Sequence, residues 1–417
     1  MTDHSGADHT GADHTGADRT SADSPAGPRA VPDALDARLA GYVRAAGRAP
    51  SAHNTQPWAP RVVDGAVEVS VVPCRTLPAG DPTFRDLLLS LGAWVESLAV
   101  VAAEDGLVVT VEPLPALCQL EDLPVDGPAD PGRPVLRLTV TDHGSTGGAA
   151  GEAPSALTDA AGFTAAHVRD RRVFRGTLLP APDVWRDSPR LPGWLRLLEV
   201  DGPAVRQLVR LGAAYTASRP TVAAELVRWL RLSPGHPRYT LDGMTDQMLA
   251  LPGPVARLGA PVTRYRALHD PVVAVAGVVG RAAEGLGRGR PLPRRPEGLP
   301  DVRVRHLVLV ADPGARAGTA GAGSGAGRAP ATQPVESRIG IPEDAAVDAG
   351  RALQRLWLHA HVHGLVVSPH SEVVDSPAAH GALRQRLGLR RSEVALSVFS
   401  AGLPSGPVPR APRLGGV

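Results

Sequence analysis

The segment Arg48-Ala-Pro-Ser51-Ala-His53-Asn54-Thr55-Gln56-Pro57-Trp58 brings a hydroxyl, an imidazole, two carboxamides and an indole into one short stretch. Carboxamides donate and accept, so Asn54 and Gln56 suit a heteroaromatic ligand whose edge alternates donors with acceptors, such as a pyrimidinedione. The stretch lies between an expected helix end and an expected strand, where loops commonly present polar groups to a ligand. Asn54 by itself would fit an Asx turn closing a helix. It is, however, the one Asn of the chain, in a composition without Lys whose 44 cations are all Arg. Arg clusters therefore carry little weight here, and a surviving Asn carries more.

Other chemical patterns are weaker. Gly321-Ala-Gly323-Ser-Gly325-Ala-Gly327 fits neither GxGxxG nor a phosphate loop ending in Lys, and reads as linker. No GxSxG elbow and no HExxH occur. His359, His361 and His363 share a helix with Ala349, Ala352, Leu356 and Ala360, a core stripe, and read as hydrogen-bonded core histidines rather than metal ligands. Arg288, Arg290, Arg294 and Arg295 lack interleaved aromatics and read as a solvated loop, not a nucleic-acid surface. His4, His9 and His14 sit in a GADHT repeat with no scaffold for a metal.

The chain has 417 residues, 43% of them apolar, enough for two or three compact units. A net charge of +2 gives no drive toward nucleic acid or a membrane surface. Two cysteines exclude a disulfide framework. The apolar runs near Pro271–Gly280 and Leu98–Ala103 are short for a bilayer, and no signal peptide is read at the start, so a soluble cytoplasmic protein is expected.

Residues 1–32 are expected to be a disordered tail. A first unit over 33–143 should hold a helix from Asp33 to Gly47 and a hairpin turning at Asp64-Gly65. A buried helix over Phe84–Asp105 and strands at Leu107–Val111 and Val135–Val140 complete it. A linker over 144–155 leads to a second unit, 156–417. This has a strand at Leu195–Val200, helices at Ala204–Ser218 and Thr221–Leu232, and a lid over about 233–300. A strand at His306–Val310, a flexible loop over 314–331, a helix at Glu343–His363, a strand at Val394–Phe399 and a Pro/Arg-rich arm finish it.

The segment RAPSAHNTQPW resembles the PSxxNxQPW stretch that flavoproteins of the nitroreductase superfamily carry along the FMN ring. It is most similar to that of Acg-type nitroreductase-like proteins, single chains with two nitroreductase-like halves. Three further stretches resemble that subgroup in order: Asp170-Arg171-Arg172-Val173-Phe174, Ala349–Gln354 through Ser371-Glu372, and Pro407-Val-Pro-Arg410. Val173 replaces the subgroup's Pro, and His370-Ser371-Glu372 its Leu-Ser-Gln. The resemblance implies an α+β fold duplicated in one chain, its halves forming an internal pseudo-dimer with a helical lid. It implies one FMN per chain, with Ser51, Asn54 and Gln56 toward the ring and ribityl side. Arg171, Arg172 and Arg410 would take the phosphate, and the Ser371-Glu372 loop would lie near flavin N5. The implied reaction is ping-pong hydride transfer from NAD(P)H to a nitroaromatic or quinone-like acceptor, with no side chain acting as nucleophile or acid. The alternative is a non-catalytic FMN holder closed by its lid. The resemblance implies no metal, no nucleic-acid or membrane partner, and a monomer built as a pseudo-dimer, or a homodimer.

Overall fold

Apolar residues at helical spacing produce α1 (Ala34–Ala46), which buries Leu39 and Tyr42. The strands β1 (Trp58–Val63) and β2 (Ala66–Val71) pair around Asp64-Gly65, both with positive φ as a tight hairpin turn requires. After α2 (Arg85–Glu104), β3 (Leu107–Pro113) and β4 (Leu136–Asp142) complete an antiparallel sheet of order β1-β2-β4-β3. The computed structural model describes residues 34–142, 162–287, 290–294, 296–320 and 338–415. The expected tail, the 144–155 linker, Arg288, Arg295 and residues 321–331 of the Gly-rich loop lie outside the described residues.

The chain continues through α3 (Ala165–Asp170), β5 (Leu178–Leu179), β6 (Leu195–Glu199), α4 (Gly202–Ser218) and α5 (Pro220–Arg228). Next come β7 (Leu230–Arg231), β8 (Met244–Thr245), α6 (Gly253–Arg264) and α7 (His269–Gly287). Then follow β9 (Arg305–Ala311), α8 (Pro313–Ala320), α9 (Glu343–Val362), β10 (Val366–Pro369), α10 (Ser371–Asp375), α11 (Pro377–Leu387) and β11 (Val394–Pro404). A second antiparallel sheet has the order β10-β11-β9-β6, with β5 on β11, while β7 and β8 form a small parallel pair. The chain is thus a mixed α+β protein.

Four local expectations change. The helix expected to reach Leu232 ends at Arg228, because Leu230–Arg231 pairs with β8. The loop expected from 314 begins as α8. The Ser371-Glu372 loop is instead the first turn of α10, followed by α11 behind its Ser376 cap. By length and apolar content α2 is long enough to cross a membrane, where the apolar runs read too short; 83% of that stretch is packed inside the protein, which makes it a core helix.

The central helices α2 and α9 cross glycine against glycine. A Cβ on Gly92 would lie 1.9 Å from the Val347 carbonyl oxygen, and one on Gly350 would lie 2.4 Å from that of Leu89. Backbones this close leave no room for side chains at the crossing. Beside it Glu96, fully buried, accepts from Arg351 Nε at 3.0 Å and from Arg355, while Gln354 donates to Ser97 at 3.0 Å. One apolar core runs from Leu39 and Trp94 through α9 to Leu309 and Phe399, and so joins the two sheets across this helix pair.

Candidate functional site

The loop before β1 is backbone-strained. His53, Asn54 and Gln56 have φ of 49°, 55° and 53°. Asn tolerates the left-handed region; His and Gln hold it at a cost on the order of 1–3 kcal/mol each, which the surroundings must offset. They do so with hydrogen bonds. Ser51 Oγ accepts from Gln56 N at 2.9 Å. Asn54 Nδ2 donates to the carbonyls of Gly243 (3.2 Å) and Pro412 (3.1 Å), and its Oδ1 accepts from Arg413 at 2.7 Å. Gln56 Nε2 donates to Leu241 O at 3.0 Å, and its Oε1 accepts from Leu414 N at 2.9 Å. Arg75 adds a bond to Thr55 O at 2.7 Å and an ion pair with buried Asp242 at 3.2 Å. Both amides thus fasten the 241–243 segment and the C-terminal arm to this loop.

A cavity of about 600 Å³ opens beside the loop. Of the eight residues expected at a cofactor, Ser51, Asn54, Arg171, Arg172, Ser371 and Glu372 line it, whereas Gln56 and Arg410 do not. Arg48 and Arg413, which the sequence did not single out, line it as well. The bridge between Val173 and Val367, with Phe174 N donating to Val367 O at 2.9 Å, sets the Arg171-Arg172 pair at the edge of the second sheet. Residues from α4, α5, the 244–249 segment and α7 form an apolar wall that includes Ala213, Val222, Leu226, Met248 and Val273.

One end of this cavity is cationic. Burial and then the neighbouring cations Arg410 and Arg172 push the Arg48 guanidinium down to about 10. Burial, Arg48 and Arg172 push Arg171 down to about 9. Burial and the same neighbours hold Arg413 well below its ordinary value, and burial with Arg410 lowers Arg172. Arg413 spends its donors on Gly47 O, Arg48 O, Ala49 O and Asn54 Oδ1 at 2.7–3.0 Å, and so clamps the loop. Arg171 differs. It is 4% exposed, and its Nε and Nη1 have no hydrogen-bond partner among the described residues. A buried cation with idle donors among other cations is costly, and an anion would relieve it. The residues present therefore fit a phosphate-bearing cofactor at this end.

A second set of charged groups lining the cavity is acidic. Arg85 bonds Asp86 and Asp375, each at 2.8 Å, and Asp81 Oδ2 accepts from Leu87 N at 2.9 Å while Oδ1 has no partner among the described residues. Burial, then Asp86, raises Asp81 well above the carboxylate range. Burial outweighs Arg85 and raises Asp375 to about 7. Burial and Arg175 lower His53 to about 4, so it is neutral at physiological pH. A carboxyl raised in the folded state holds its proton there after the unfolded chain has lost its own. Its stabilising contribution is present at low pH and is lost as pH rises through about 7. The melting temperature of wild type minus that of Asp375→Asn should accordingly fall by a few degrees between pH 5 and pH 8. A flat difference in thermal melts across that range would contradict this assignment.

Of the three histidines expected in the core, His359 is buried and His361 half-buried on α9, whereas His363 lies just past the end of the helix and is exposed, because the core stripe stops with the helix at Val362. His359 Nε2 lies 2.7 Å from Val184 O, and His363 Nδ1 lies 2.9 Å from His359 O. Among the described residues no group of three potential metal ligands is found.

No protein-family profile matches this chain. Two Mycobacterium tuberculosis proteins, from strains CDC 1551 / Oshkosh and H37Rv, carry the provisional name NAD(P)H nitroreductase and are 40% identical to it over 68 residues. The match covers 16% of this chain and 20% of each relative, so it spans about a fifth of their length. Two solved structures, the FMN and NADPH-dependent nitroreductase NfnB of a Sphingopyxis strain and NfnB of Mycobacterium smegmatis, align at 17% and 16% identity. They cover 59% of this chain and 93% and 92% of their own, at a TM-score of 0.26. Over the shared 68 residues, then, this chain is similar to proteins named as NAD(P)H nitroreductases.

Proposed function

We propose that this chain is an FMN-dependent NAD(P)H oxidoreductase of the nitroreductase class that reduces a nitroaromatic or quinone-like acceptor. The observation that carries the reading is the buried Arg171 guanidinium, whose Nε and Nη1 have no partner among the described residues, beside Arg48 and Arg172 in a cavity of about 600 Å³ whose other wall is the Ser51–Asn54 loop. That volume suits one cofactor with part of a substrate. Arg48, Arg171 and Arg172 would hold the phosphate, because guanidinium forks match its oxygens. Ser51, Asn54, Ser371 and Glu372 would line the remainder of the cofactor. Arg413 would keep the loop in place, and Arg410 would add charge from outside the cavity. When bound, FMN supplies the hydride chemistry, and the protein supplies orientation and a dry wall. On this reading the two antiparallel sheets and their crossing helices are two fused halves, 33–143 and 156–417, one FMN serves both, and 233–300 is the lid. The local similarity to named NAD(P)H nitroreductases supports the choice of reductant.

A second reading, an FMN holder without turnover, is favoured by one observation. The 244–249 segment and α7 wall the cavity, and Leu241 and Gly243 are bonded to the loop amides. The visible spectrum of the purified protein, taken anaerobically before and after excess NADPH, separates the readings. Flavin bands that bleach are the expected result. Bands that persist with NADPH and NADH favour the holder, and no bands after incubation with FMN would sink both.

A further inference from the structure

Helix α7 is apolar on two opposite faces. Val273, Gly277, Gly280 and Glu284 are buried, and Val272, Val273 and Ala276 line the cavity. Val275, Val279 and Leu286 point the other way and are 65%, 63% and 83% exposed, with Val278 beside them at 60%. At about 100° per residue these outward positions fall on one stripe, away from the buried one. On α6, Val255 and Leu258 are exposed as well, at 53% and 84%. A helix apolar on both sides is the pattern of an element covered on both sides.

The charge around this surface says what covers it. Over the whole chain 44 Arg and 42 acids nearly balance, yet residues 253–297 hold eight Arg against Asp270, Glu284 and Glu297. Glu284 is buried and accepts from Ser218 at 2.6 Å, which leaves the outer surface more basic still. Among the described residues Arg257, Arg264, Arg281, Arg290 and Arg294 are exposed. An exposed apolar helical face in a segment dominated by exposed cations matches acyl chains beneath anionic headgroups. We propose that α6 and α7 dock this chain on an anionic membrane surface, lying in the interface with the Val275–Val279–Leu286 stripe inserted and the arginines on lipid phosphates. This docking is independent of what the cavity holds. It sets one wall of the cavity against the lipid. The whole-chain charge and the lengths of apolar runs, which gave no expectation of a membrane partner, are blind to such a local concentration.

The full chain should co-sediment with vesicles of phosphatidylglycerol and phosphatidylcholine, and at least tenfold less with phosphatidylcholine alone. Raising the salt should weaken the anionic binding. Val275→Glu with Val279→Glu should abolish it, and Arg257→Glu with Arg281→Glu should reduce it at least tenfold. All four positions are exposed and outside the cavity lining, so an unchanged melting temperature verifies that the variants fold. Equal or absent binding of the folded wild type to both vesicles overturns the proposal. So does sedimentation velocity showing a dimer that the valine substitutions dissolve, without vesicle binding, since a second copy would then be the occupant.

Discussion

Arg171→Met should abolish tight FMN binding and leave the ligand-free protein at least as stable as wild type. The two effects have opposite signs because one group causes both. In the free protein the guanidinium is 4% exposed, two of its nitrogens lack partners among the described residues, and burial and the cations Arg48 and Arg172 depress it. Its folded-state value of about 9 lies below the ordinary one. The penalty is therefore present at every pH below about 9 and is relieved only as pH climbs above it. A methionine keeps an unbranched apolar stem there and removes the charge that lies 5.6 Å from the Trp357 ring. With phosphate bound, the same charge would contribute about 1.5–3 kcal/mol, so its loss weakens FMN roughly 10- to 100-fold. Flavin fluorescence titration and thermal melting without FMN measure the two halves. A variant that melts early but binds FMN normally would show that Arg171 is structural, acting through its 3.4 Å bond to Arg48 O.

Glu96→Ala should destabilise the fold by about 3–5 kcal/mol, as expected when one partner of a buried ion pair is removed. Glu96 is fully buried on α2, and its carboxylate is shared by Arg351 and Arg355 of α9, whose side chains are 7% and 5% exposed. Removing it leaves two buried guanidiniums without their common counter-charge, at the contact that joins the two sheets. Set against a total stability of about 5–15 kcal/mol, the loss should lower the melting point on the order of 10 °C. Glu96→Gln, which keeps the volume and can still accept one bond, should fall between. A melting point for Glu96→Ala within about a degree of wild type would mean that the helix pair holds without its charges.

The local elements were largely readable, because α1, α2, α4 and α9 carry apolar residues at helical spacing and the first hairpin carries Asp64-Gly65. What escaped was decided at long range. Loop 51–58 read as polar and special, but the partners of Asn54 lie 189 and 359 residues away at Gly243 and Arg413, and no local spacing reveals them. Its amides therefore read as ligand contacts although the structure also uses them as fasteners. Arg48 and Arg413 escaped for a compositional reason: where every cation is Arg, one more Arg carries no signal. Asp81, Asp86 and Asp375 gave none either, since only folding buries them around Arg85. The loop at Ser371 is expected from the family resemblance alone; in the structure Ser371 opens the short helix α10, and Ser376 caps α11.

The clamp formed by Arg413 sets an order of events on the ribosome. Its guanidinium closes on the carbonyls of Gly47, Arg48 and Ala49, which are synthesised more than 360 residues earlier. The first sheet can pair and α2 can form while later residues are still being added. The strained loop, however, lacks its fastener until residue 413 has left the exit tunnel. Until then the 48–56 segment lacks the bonds that offset its left-handed φ angles. The loop can therefore be fastened only after Arg413 has been made, although its own residues are made more than 360 positions earlier.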